Sequence, residues 1–124
     1  METRNTQAST QISPQTVRAF NEIVCQAIDK TLEELMGPEV VKAVYVHLSD
    51  NFGVDRNELP YRIDTICSVL EGVFGVKGAR VIERKVAKNL YDRILLPFND
   101  QQGSTLKDFL ELAKQSVSRD SYYI

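Results

Sequence analysis

The chain of 124 residues contains no tryptophan, one histidine and only two cysteines. Structural zinc sites take four nitrogen or sulfur ligands, and two cysteines with one histidine are too few to supply them. Neither cysteine belongs to a CxxC pair, so both are expected to be reduced packing residues, as in the cytosol. A disulfide or redox role for Cys25 is the alternative. We therefore expect neither a metal nor a cofactor.

The sequence also lacks a long apolar run and a large excess of charge. No stretch approaches the roughly 20 apolar residues of a membrane-spanning helix, and residues 1–11 contain no apolar core of a signal peptide. The formal net charge is −2 and the isoelectric point is near 5.4, so the chain as a whole is not drawn to nucleic acid or acidic membranes. These features predict a cytoplasmic protein without a membrane partner.

What is present is the composition of an ordinary globular domain. Hydrophobic residues make up 43% of the chain and charged residues 26%, and the length fits one domain with an adequate core. Residues 1–12 are polar and are predicted to form a flexible N-terminal tail. The helical domain is predicted to span residues 13–118, with a C-terminal tail at 119–124.

Apolar residues recur three and four positions apart in five segments, which predicts five amphipathic helices. Ser13-Pro14 begins the first, and Gly37-Pro38 ends it. The other four are predicted from Pro38 to Gly53, from Pro60 to Gly75, from about Lys77 to Leu95, and from a cap at Ser104 or Thr105. Three valines between residues 40 and 46 leave a strand as the alternative for the second helix. The prediction is an all-α, single-domain bundle of about five helices with short loops.

The fourth predicted helix is the segment with asymmetric charge. Between residues 77 and 93, six basic residues stand against two acidic residues. Four of the basic residues fall in a narrow stripe opposite the apolar face. This stripe either contacts phosphates or an acidic partner, or it is a solvated face paired with acids from the first two helices. Together with the apolar chain end, the candidate interaction surface consists of Lys77, Arg80, Arg84, Lys85, Lys88, Tyr122 and Tyr123.

No motif supports catalysis. His47 lacks the flanking cations that stabilise a phosphoryl group, so a half-buried, hydrogen-bonded histidine is favoured over a phosphoacceptor. The acidic turn after Asp50 departs from the calcium-binding EF-hand, because its glycine comes two positions early and position 12 is Tyr61. The glycines of residues 74–78 follow a helix and do not match a P-loop, so they predict a tight interhelical turn, with an anion at the helix start as the alternative. We therefore expect no enzyme.

The first predicted helix is a second candidate interaction surface. Val17, Phe20, Val24 and Ala27 follow the alternating three-four spacing of a coiled-coil seam, although for fewer than three heptads. An isologous homodimer built on this helix and a helix buried within the monomer are both consistent with that spacing.

Several apolar and glycine-containing stretches resemble one small archaeal family. They are Val44-Tyr45-Val46-His47-Leu48, Phe52-Gly53-Val54, Leu70-Glu71-Gly72-Val73-Phe74-Gly75 and Ile82-Glu83-Arg84-Lys85-Val86-Ala87-Lys88-Asn89-Leu90-Tyr91. Over residues 37–112 the chain resembles the Nitrosopumilus output domain, fifth type. The resemblance implies a non-catalytic helical module of archaeal signal transduction, and it brings no catalytic residues.

The leading functional hypothesis is accordingly a non-catalytic interaction module that acts through protein partners. The alternative is a nucleic-acid-binding regulator that places the basic face of residues 77–94 on phosphates. A phosphate binder is expected to lose affinity steeply with salt, whereas a protein-interaction module is not.

Overall fold

The computed structural model describes residues 14–99 and 104–123, with residues 119–123 described by their backbone alone. These residues form four α-helices and one 3-10 helix: α1 (Pro14–Met36), α2 (Pro38–Phe52), the 3-10 helix (Arg56–Tyr61), α3 (Ile63–Arg93) and α4 (Leu106–Tyr123). The predicted all-α bundle is confirmed, and residues 40–46 lie in a helix rather than a strand. Among the described residues, no helix is long and apolar enough to span a membrane.

Glycine and proline end α1 and begin α2 as predicted. Gly37 has a φ of 86° and Pro38 occupies the first turn of α2, where its missing N–H costs nothing. At the other end of α2, Gly53 adopts the left-handed conformation (φ 64°, ψ 30°) and its N–H donates to the carbonyls of Leu48 and Ser49. The local sequence therefore determines both boundaries.

The connection between α2 and α3 differs from the prediction. Arg56–Tyr61 form a 3-10 helix with Pro60 inside it, and α3 begins at Ile63 instead of Pro60. The Asp55 N–H donates to Glu58 Oε1 at 2.9 Å, and the Glu58 N–H donates to the Asp55 carbonyl at 2.9 Å. The Glu58 carboxylate therefore caps the start of this short turn, which gives that acidic residue a structural role.

α3 is bent at Gly75, which has a φ of 80° and a ψ of 167°. Only glycine adopts this combination readily. The two arms, residues 63–74 and 76–93, run antiparallel, because partners pair symmetrically about the bend: Arg80 with Glu71, and Glu83 with Cys67. The predicted interhelical turn is therefore confirmed.

The second arm ends at Arg93, two residues before the predicted end. The N–H groups of Leu95 and Leu96 donate to the carbonyls of Asp92 and Tyr91, the hydrogen-bond pattern of a Schellman motif. This motif needs a left-handed residue, and Leu95 takes that position with a φ of 59°. Leucine is an unusual choice there, and its side chain is 89% exposed.

α1 lies at the centre of the core and packs chiefly against α3. Phe20, Val24 and Ala27, which carry the coiled-coil spacing, are buried within the monomer. Asn89 of the second arm donates to Thr31 Oγ1 at 2.6 Å, and that hydroxyl donates to the Ala27 carbonyl at 2.7 Å. These residues of α1 are thus used inside the molecule, whereas Val17, at the start of the same spacing, is half-buried.

α4 begins with the predicted capping box. The Thr105 N–H donates to Asp108 Oδ2 at 3.1 Å, and the Asp108 N–H donates to Thr105 Oγ1 at 3.2 Å. The Tyr91 hydroxyl donates to the Phe109 carbonyl at 2.7 Å and fastens α4 to the second arm of α3. The backbone of α4 continues to Tyr123, past the predicted domain boundary at residue 118.

The bend predicts opposite effects for two neighbouring glycine substitutions. No atom lies within 4 Å of a Cβ added at Gly75 or Gly72, so only the backbone conformation distinguishes the two sites. Gly75→Ala is expected to lower the free energy of unfolding by about 1–3 kcal/mol, because alanine is strained at these angles. Gly72→Ala, in regular helix, is expected to raise it by about 0.5–1 kcal/mol. Urea denaturation checks both, and equal effects of the two variants would contradict the assigned bend.

Candidate interaction surface

The first arm of α3 carries its apolar stripe beyond the core. Ile63, Ile66 and Leu70 are buried on this stripe, and helical spacing places Val73 and Phe74 on its continuation. Within residues 14–99 and 104–118 this continuation is left partly uncovered: Val73 is 61% exposed and Phe74 37% exposed. Val76, just past the bend, is 59% exposed. We call these three side chains, Val73, Phe74 and Val76, the tip.

A row of exposed lysines begins beside the tip and follows the second arm. Lys77, Lys85 and Lys88 are exposed, and no salt bridge recorded within the described residues involves them. Val81 is 49% exposed and lies four residues from both Lys77 and Lys85, hence on the same face. We call Lys77, Val81, Lys85 and Lys88 the basic face. It contains three of the five predicted basic residues.

The other two predicted basic residues are engaged within the chain. Arg80 donates from Nη2 to Glu71 Oε2 at 2.8 Å and from Nη1 to Glu83 Oε2 at 2.7 Å. The hydrogen bond to Glu71 and the charge of Glu83 raise the pKa of the Arg80 guanidinium. Arg84 is half-buried and is not a free cation either. The acids that pair with Arg80 come from α3 itself and not from the first two helices.

Glu83 is the buried charge that the sequence analysis missed. Its side chain is 3% exposed, and it lies on the apolar face with Ala79, Ile82 and Val86. Burial of a carboxylate is costly unless it is paired, and here the Arg80 guanidinium donates to it at 2.7 Å. The spacing of three and four residues from its buried neighbours was the signal that could have identified it.

A small open cleft of about 380 Å³ lies between the arms and the start of α4. The charged groups that line it are Asp64, Glu71, Arg80, Glu83 and Lys107. Lys107 Nζ is 3.5 Å from Asp64 Oδ2, and Arg80 holds both glutamates. Every charged side chain in this cleft is therefore paired within the protein. Burial, with the charge and hydrogen bond of Glu83, raises the pKa of the Cys67 thiol to about 12.

A second polar cluster joins α1, α2 and the 3-10 helix. Arg56 donates from Nε and Nη2 to Asp29 Oδ2 at 2.8 and 2.6 Å, and the Tyr45 hydroxyl donates to Asp29 Oδ1. Burial and the bond to Asp29 raise the pKa of the Tyr45 hydroxyl. The Cys25 thiol donates to the Arg56 carbonyl at 3.4 Å. Burial raises the pKa of that thiol, which fits a packing residue rather than a reactive one.

His47 is exposed on α2, and not half-buried as predicted. Its Nδ1 lies 2.9 Å from Asn51 Nδ2, and its ring packs edge-on against Phe52 at 5.7 Å between centroids. Both neighbours are within five residues, so the local helix alone positions the ring. Within residues 14–99 and 104–118, no group of three His, Cys, Asp or Glu side chains is arranged to hold a metal ion.

Tyr122 and Tyr123, the remaining predicted interaction residues, have side chains outside the described part of the structure. The polar N-terminal segment 1–12, Ser13, and residues 100–103 of the loop before α4 lie outside it as well. The predictions for these residues remain predictions.

Comparison with protein families, with curated proteins and with solved structures finds no match for this chain.

The Arg80 contacts predict a specific pattern of stability losses. Arg80→Met leaves the buried Glu83 carboxylate without its cation, so the urea midpoint is expected to fall. Arg93→Met removes an exposed arginine from the same helix and serves as the matched control with little change. The double variant Arg80→Met/Glu83→Met removes both charges and is expected to recover stability relative to Arg80→Met alone. A double variant less stable than Arg80→Met would show that the pair is not coupled as described.

The Cys67 environment predicts its reactivity. The pKa of this thiol is raised from 9.0 to about 12, so the reactive thiolate is scarce below pH 12. Alkylation of Cys67 by iodoacetamide at pH 8 is expected to be at least tenfold slower than that of an unfolded-chain thiol. Its rate is expected to keep rising between pH 9 and 10, where an ordinary thiol begins to level off. Glu83→Gln is expected to accelerate the reaction by removing a nearby negative charge.

Peptide mapping by mass spectrometry follows Cys67 separately from Cys25. A rate at pH 8 equal to that of the unfolded chain would contradict the raised pKa of the Cys67 thiol.

Proposed function

We propose that this protein is a non-catalytic helical interaction module that binds protein partners through the tip of α3. The observation that carries the proposal is the apolar stripe that leaves the core and ends in exposed Val73 and Phe74, followed by Val76. Exposed apolar side chains that lie together commonly mark an interaction site. A partner that covers these side chains gains roughly 25 cal/mol for each Å² of apolar surface that it removes from water.

The polar clusters support a binding role over a catalytic one. The charged groups of the Arg80 and Arg56 clusters pair with one another, and burial raises the pKa of both cysteine thiols, which disfavours the thiolate. Active sites use perturbed groups that face an accessible reaction centre. Here the perturbed groups are explained by the packing of helices.

The resemblance to the archaeal output-domain family supports signal transduction in the cytoplasm as the setting, through protein partners. A homodimer remains part of the proposal, through a surface other than the buried face of α1.

Nucleic-acid binding is the second candidate, because the basic face offers three exposed lysines. Duplex DNA and single-stranded RNA, each labelled and titrated by fluorescence anisotropy at low and physiological salt, test it. Three phosphate contacts predict an affinity that falls steeply with salt. Binding that persists at physiological salt, and that Lys77→Glu/Lys88→Glu abolishes, would favour this candidate.

The tip predicts which substitutions abolish partner binding. Val73→Ser/Val76→Ser is expected to reduce chemical cross-linking to partners, in extracts of the cells that make the protein, by at least fivefold. Val40→Ser/Val46→Ser is the matched control, because these valines of α2 are 43% and 53% exposed, comparable with 61% and 59% at the tip. Quantitative mass spectrometry measures the amount of each cross-linked protein, in samples treated with nuclease so that nucleic acid does not bridge the proteins.

Thermal unfolding first establishes that both double variants fold. Identical sets of cross-linked proteins for the tip variant and the wild type would show that the tip is not the binding surface.

A further inference from the structure

We infer that the partner presents an acidic amphipathic helix, which lies along the second arm of α3. Its apolar side chains contact the tip and Val81, and its carboxylates pair with Lys77, Lys85 and Lys88. This inference rests on the proposed function and names the chemistry of the partner.

The spacing of the basic face fits a helical segment. Val81 lies four residues after Lys77 and four before Lys85, and Lys88 follows one turn later, so all four side chains share one face. At 1.5 Å per residue, the distance along the helix axis from Lys77 to Lys88 is about 16 Å. A partner helix of three to four turns covers this length.

The acidic side chains nearest the bend of α3 pair with Arg80, so Lys77, Lys85 and Lys88 are available to the carboxylates of a partner. Glu71 and Glu83, the acids nearest the bend, both accept hydrogen bonds from Arg80. Lys77, Lys85 and Lys88 have no recorded salt bridge in the described residues. Carboxylates are therefore the complementary groups, and they add selectivity and association rate to the apolar contact.

The apolar side chains distinguish a peptide from a polyanion. Val81 lies among the lysines, and Val76 adjoins Lys77. A phosphate backbone neutralises lysines but leaves valines in water, and a valine offers no ring on which a base stacks. An amphipathic helix meets both kinds of side chain at once.

A designed peptide provides the test. The probe is a fluorescein-labelled peptide of 14 residues, with leucines three and four residues apart and with glutamate as its only charged residue. The control peptide has lysine in place of every glutamate and is otherwise identical. Anisotropy at physiological salt is expected to show binding of the acidic peptide at least tenfold tighter than binding of the control peptide.

Two charge-matched variants locate the binding site. Lys77→Glu/Lys88→Glu is expected to weaken binding of the acidic peptide by about tenfold, since two exposed attractions become repulsions. Lys42→Glu/Lys114→Glu changes the net charge equally, at exposed lysines of α2 and α4, and is expected to leave binding within twofold. Val73→Ser/Val76→Ser is expected to weaken binding as well.

Three outcomes would overturn the inference. The first is that the protein binds both peptides equally well, or that it binds neither peptide. The second is that duplex DNA, or vesicles in which one phospholipid in four is anionic, bind more tightly than the acidic peptide does. In this outcome Val73→Ser/Val76→Ser leaves the affinity for the DNA or the vesicles unchanged. The third is equal loss in the two charge variants. If partner cross-linking still depends on the tip, the proposed function stands and only the acidic-helix partner is wrong; if it does not, both are wrong.

Discussion

The left-handed backbone at Gly75 (φ 80°, ψ 167°) is the constraint on which the rest of the structure depends, because it divides the 31 residues of α3 into two antiparallel arms. Without this reversal, Cys67 and Glu71 of the first arm would not reach Glu83 and Arg80 of the second. The same reversal places Asn89 against Thr31 of the central helix and Tyr91 against α4. The conformation of Gly75 thus determines which faces of the two arms of α3, of α1 and of α4 contact one another.

Polar contacts in this protein stabilise the junctions between helices. Arg80 spans the two arms, Arg56 joins the 3-10 helix to α1, and Tyr45 joins α2 to the same aspartate. Each cluster places a carboxylate among donors, which offsets the cost of removing it from water. The described residues contain no buried side-chain polar atom without a partner.

The same bend also explains the proposed binding surface. The two arms of α3 meet where the chain turns, and the described residues leave Val73, Phe74 and Val76 partly exposed there. Arg80 supplies the cation that pairs with Glu71 and Glu83, and the lysines of the basic face remain exposed. The basic face therefore begins beside the tip, at Lys77, and continues along the second arm.

The sequence by itself determined the helices and most of their ends. Gly37-Pro38, Gly53, Gly75 and the Thr105–Asp108 box act within a few residues of the chain, so periodicity and capping sufficed to predict them. The 3-10 helix around Pro60 was missed, because its boundaries depend on hydrogen bonds weaker than those of a regular helix. Only the tertiary structure decided that Arg80 is an internal cation, that Glu83 is buried and that Val73 is exposed. A helical pattern gives the face on which a side chain lies, whereas its partners depend on which helix the fold brings to that face.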